Sequence, residues 1–92
     1  MIIEIIDESD LELEFSERKI SSALQKLNEL STEIDLVEVC LDFDTKLSYE
    51  YSAWIKVHIK NLVIVREGRD ECVETSVDLA IKKLLQQDKV NI

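Results

Sequence analysis

The chain contains no proline and a single glycine, Gly68. Phosphate-cradling loops of the P-loop and dinucleotide types need several glycines close together, so nucleotide enzymes of those kinds are excluded. Two cysteines, Cys40 and Cys72, are too few for a disulfide-stapled secreted domain, and they do not form a Cys-x-x-Cys pair. The expectation is two reduced thiols, with Cys40 partly buried and Cys72 buried on the second helix. His58 is the one histidine, so a zinc site of several His and Cys ligands is not expected, and a cysteine nucleophile would depend on that one base. Basic residues are scarce: eleven Lys and Arg face twenty Asp and Glu, a net charge of −9. No phosphate-attracting field can then come from the molecule as a whole, and any basic surface must be local. Apolar runs long enough to span a membrane are also missing. The opening MIIEIIDESD has no basic leader and its apolar run is broken at Glu4, so no signal peptide is read there and a cytoplasmic location is the expectation.

What is present is a chain of 92 residues, 46% hydrophobic and 34% charged, which suits one soluble domain spanning 1–92. A short β-branched strand runs from Met1 to Ile6 and ends near Asp7, and Leu11, Leu13 and Phe15 alternate with Glu12 and Glu14 in extended fashion. Ser16 is placed to cap a helix over about Ser16 to Ser31, with Ile20, Ala23, Leu24, Leu27 and Leu30 on its apolar side. Ile34 to Asp44 alternates cleanly, turning Val37, Val39, Leu41 and Phe43 one way and Glu38, Cys40, Asp42 and Asp44 the other. Alternation resumes at Tyr49, with Tyr51, Ala53, Ile55, Val57 and Ile59 opposite Glu50, Ser52, Trp54, Lys56, His58 and Lys60. Lys60 and Asn61 read as a tight turn in which Asn61 takes a positive φ, and Leu62 to Arg66 as the fourth strand. Residues Glu67 to Asp70 break the pattern, and Val73, Val77, Ala80, Ile81 and Leu84 trace a second helix to about Gln87. The order β-α-β-β-β-α gives an α+β two-layer sandwich: a four-stranded sheet with two helices on one face and its other face open.

Candidate binding residues fall in two sets. Arg18, Lys19 and Lys26 lie on the polar side of the first helix, Lys82 and Lys83 in the later turns of the second, and Lys89 follows it. Counterion release by such residues is what binds RNA, although lysines at a helix end equally complement its dipole. Trp54, Lys56, His58 and Lys60 share the open face of the third strand, in a stretch from Tyr51 to Val65 that holds no acid. A ring among cations can stack a base. The same lysines can instead pair across the sheet with Glu38, Asp42 and Asp44. Carboxylates two apart on a strand are spread about 7 Å with no wrapping loop, so no metal is expected. With no pocket signature, neither a cofactor nor an enzymatic activity is expected either.

The segment Ser76-Val77-Asp78-Leu79-Ala80-Ile81-Lys82-Lys83-Leu84-Leu85-Gln86-Gln87 carries a resemblance. Together with the element order, the size, Lys26-Leu27 and Asp35-Leu36-Val37-Glu38-Val39, it resembles the ribosome hibernation factors, the ribosome-associated inhibitor family. Members often show Ala-Ile-Asp, Lys-Leu and Arg-Gln where this chain has Ser76-Val77-Asp78, Lys83-Leu84 and Gln86-Gln87. The resemblance implies a short-form factor with a fold like that of a double-stranded RNA-binding domain plus an N-terminal strand. It further implies a non-catalytic partner of the small ribosomal subunit that binds rRNA near the decoding cleft and keeps idle ribosomes inactive. RNA-binding candidates on this view are Lys26 and Lys83 foremost, then Lys82, Lys89, Arg18, Lys19, Trp54, Lys56 and Lys60. The chain departs from the family's basic surface: seven acids and no Lys or Arg occupy the first seventeen residues, and the expected basic positions are Gln86 and Ala23. That charge depletion motivates a second reading, a module on the same fold that uses its acidic surface to bind a protein partner or a second copy.

Overall fold

The computed structural model describes residues 1–9, 13–31, 33–44 and 50–90, without the side chains of 44 and 87–90. Its elements are β1 (Ile2–Asp7), α1 (Glu17–Leu24) continued by a 3₁₀ segment (Gln25–Glu29), β2 (Ile34–Asp44), β3 (Glu50–Ile59), β4 (Leu62–Asp70) and α2 (Val73–Val90). The strands lie in the order β1-β2-β3-β4. β1 runs parallel to β2, and the other neighbours are antiparallel. A parallel pair needs a crossover, which α1 supplies, while β3 and β4 are joined by a tight turn. The expected element order and layering hold.

Register explains the layering. Ile3 pairs with Val37 and Val37 with Val57, while Ile5 pairs with Val39 and Val39 with Ile55, so aliphatic rows cross the sheet on one face. The helices cover those rows with their own stripes. Ile20, Leu24 and Leu27 from the first helical region and Val73, Val77, Ala80, Ile81 and Leu84 from α2 are all buried, as their spacing predicts. Each large aliphatic side chain buried this way contributes about 1.5–3 kcal/mol. Ser16 caps α1 as expected, its Oγ accepting from the Lys19 N–H at 3.2 Å.

Several boundaries differ from the sequence reading, each for a local reason. The first helix tightens to 3₁₀ after Leu24, where the three-residue spacing of Leu24, Leu27 and Leu30 keeps apolar side chains over the sheet. β4 continues past Arg66 to Asp70 because Gly68 pairs with Ala53 on the core face, directly beneath α2. The positive φ of the β3–β4 turn is at Lys60 (53°) and not at Asn61. Cys72 is exposed and precedes α2, since Val73 takes the first buried position of that helix. Leu13 and Phe15 are in no strand but pack against the core. The positions of Leu11 and Tyr49 lie outside the described residues.

Candidate nucleic-acid interface

The helix-borne cations Arg18, Lys19, Lys26, Lys82 and Lys83 are exposed. Lys26 stands in the last turn of the 3₁₀ segment and Lys82 midway along α2. They converge on one groove of about 280 Å³ between these elements, lined also by Thr75, Asp78 and Leu85. Asp78 and Lys82 are four residues apart, so an acid and a base from successive turns of one helix face share its wall. Lys19 sits by the first turn of α2, where its charge helps hold the Glu74 carboxyl below the usual range. That shift comes chiefly from the backbone N–H of Glu74 itself and then from that of Ser16. Lys83 takes the other flank of α2, its Nζ donating to the Glu67 carbonyl at 2.7 Å. Lys89 lies in the backbone of α2, its side chain outside the described residues.

On the open face, three rows cross the whole sheet: Ile2, Leu36, His58 and Val63; Glu4, Glu38, Lys56 and Val65; Ile6, Cys40, Trp54 and Glu67. Lys56 is directly opposite Glu38, yet that carboxylate reaches diagonally to His58, Oε1 to Nε2 at 2.6 Å. Among the described residues Lys56 makes no ion pair, so the cross-strand alternative is not realised with Glu38 or Asp42; the side chain of Asp44 lies outside the described residues. Lys60 pairs with Glu33 at 2.9 Å, from the segment before β2. Trp54 is 44% exposed. Beside it, burial pushes the Cys40 thiol up, with the Glu8 carboxylate adding to the shift.

The candidates thus divide. Lys26 and Lys82 come together on the helical layer, whereas Trp54 and Lys56 face away from it on the other side of the sheet. The acids Asp78 and Glu67 were not read from the sequence as members of either surface, although the i, i+4 relation of Asp78 to Lys82 is visible there.

No family model matches the sequence, and no curated protein matches it. Solved structures do match in shape. The N-terminal domain of Protein Y from Thermus thermophilus is similar over 98% of both chains, with a TM-score of 0.74 and 19% identity. A ribosomal subunit interface protein from Coxiella burnetii is similar over 98% of this chain and 96% of its own, with a TM-score of 0.73 and 16% identity. At these identities the likeness establishes the fold. Among the described residues no helix is long and apolar enough to cross a membrane.

Proposed function

We propose that this chain is a ribosome-associated, non-catalytic factor of the hibernation type, acting in the cytoplasm by binding small-subunit rRNA near the decoding cleft. The observation that carries the reading is the convergence of Lys26 and Lys82 on one groove, in a fold shared with a ribosomal subunit interface protein. Two ammonium groups from different helical elements suit a phosphate backbone, with Arg18 and Lys19 extending the basic edge along α1; Lys89 is kept as a candidate from the sequence alone. The groove's residues are Lys, Thr, Asp and aliphatics, and neither cysteine nor His58 reaches it, which supports binding over chemistry.

A net charge of −9 gives no long-range steering toward RNA, so association rests on a few short-range contacts and is strongly salt-dependent. Co-sedimentation with ribosomes at low and high salt tests this. Wild-type protein is expected to travel with small subunits at low salt and to leave them as salt rises. The double variant Lys26→Ala/Lys82→Ala is expected to bind weakly throughout, with a shallower salt dependence. No association at low salt would end the reading.

A further inference from the structure

We propose that the open face of the sheet is a docking surface for a basic, arginine-containing polypeptide segment. This goes beyond the ribosomal reading, which uses the opposite layer. The face is unpartnered among the described residues and exposes large apolar side chains: Trp54 at 44%, Ile6 at 40%, Ile2 at 64% and Val63 at 50%. Around them stand the carboxylates of Glu4, Glu38, Asp42 and Glu67, against Lys56, His58, which takes Glu38 at 2.6 Å, and Arg69, whose Nη1 lies 3.9 Å from Glu67 Oε2, so the surround keeps a surplus of acids. An apolar floor with an acidic surround complements a partner carrying both aliphatic and cationic side chains.

Trp54 sets the chemistry. It lies on an inner strand, with Cys40 and Glu67 as its direct cross-strand neighbours and Glu38 and Asp42 on the diagonals of β2. Direct neighbours on one face of a sheet are about 5 Å apart at Cβ and diagonal ones about 7–8 Å. A guanidinium stacked on the indole would therefore have Glu67 within reach of its planar fork, an arrangement that favours arginine over lysine. A second copy of this chain is disfavoured, because stacking two such faces opposes like charges. RNA is disfavoured for the same reason.

Trp54 is the sole tryptophan, so its emission reports on this face without a label. The probe is a capped peptide alternating arginine and valine, titrated into the intact protein. Saturable binding with a blue shift is expected, several-fold tighter than for the same peptide with lysine and absent with glutamate. By calorimetry Trp54→Leu is expected to lose about tenfold in affinity, equivalent to about 1.4 kcal/mol. Glu67→Gln is expected to lose several-fold, and Lys26→Ala/Lys82→Ala to bind as wild type. Circular dichroism confirms that each variant is folded. The proposal is overturned if the arginine peptide leaves the emission unchanged, if Trp54→Leu binds it equally well, or if an oligoribonucleotide shifts the emission at lower concentration than the peptide. None of these outcomes depends on ribosome association, so the two readings fail separately.

Discussion

The ammonium of Lys83 and the backbone carbonyl of Glu67 lie 2.7 Å apart, so a helix side chain closes a hydrogen-bonding group on an edge strand. Two residues earlier the Val65 carbonyl accepts from Arg66 Nη1 at 2.6 Å. Carbonyls two apart on a strand point the same way, so both cations shield the same edge of β4. Unpaired strand edges template association, and charged side chains are a common guard against it.

Lys83→Met keeps the aliphatic stem and removes the donor. Its expected effect on stability is small, about 1 kcal/mol or less, because the bond is exposed. Sedimentation velocity is expected to show a mass that climbs with concentration more steeply than that of wild type. Because the ammonium is already engaged, the variant is also expected to lose less ribosome association than Lys82→Ala. Identical sedimentation of variant and wild type would show that the bond guards nothing.

Gly68 predicts a much larger effect. A Cβ there would collide with the Ser76 carbonyl oxygen and lie 2.6 Å from the Ala80 nitrogen, both backbone atoms of α2 that cannot rotate aside. Gly68→Ala must push α2 off the sheet, and overpacking of this kind costs about 3 kcal/mol. Urea denaturation checks the figure, and a loss under about 1 kcal/mol would mean that the helix seat yields easily.

Alternation and three- and four-residue spacing made most of the fold legible, because each strand has one buried face. Ile34–Asp44 was readable to both ends, and the α2 stripe from Val73 to Leu84 was readable residue by residue. Gly68 was misread as a strand break because a missing side chain looks the same in sequence whether it marks a turn or makes room for a helix. Cys72 was misread because a thiol at a helix boundary carries no periodic signal. The groove at Lys26 and Lys82 joins residues 56 apart in number (82 − 26), and only packing reveals that they share a wall. Likewise, register alone pairs Lys56 with Glu38, while the side-chain geometry gives that carboxylate to His58.

Lys60 offers a test of backbone strain. Its φ of 53° lies in the left-handed region, which disfavours a Cβ. Among the described residues its ammonium pairs only with the exposed Glu33, and its N–H donates to Asp35 Oδ2 at 3.2 Å. Lys60→Gly relieves the strain, retains the N–H and loses a surface ion pair that contributes little, so its stability is expected to stay within about 1 kcal/mol of wild type. Lys60→Val places a β-branched residue at the same φ and is expected to lose about 1–2 kcal/mol more than the glycine variant. Thermal melts of the two variants side by side decide the matter, and equal melting temperatures would refute the strained turn.

Glu74 ties the approach to α1 to the first turn of α2. Its Oε1 accepts from the Ser16 N–H at 3.2 Å and its Oε2 from the Cys72 thiol at 3.3 Å. Its own backbone N–H, then these two donors, hold the carboxyl below its ordinary value of 4.5. A carboxyl lowered by folding adds stability that is fully present above the ordinary value and disappears as pH falls through the lowered one. Asp7 acts in the same sense, held down mainly by the Ser9 hydroxyl and then by the Leu13 N–H. Glu74→Gln is therefore expected to be less stable than wild type by about 1 kcal/mol at neutral pH, with the gap closing under acid conditions. Urea denaturation at pH 7 and at about pH 3 measures both ends of this trend. A gap that stays constant between them would show that the hydrogen bonds to Glu74 do not depend on its charge.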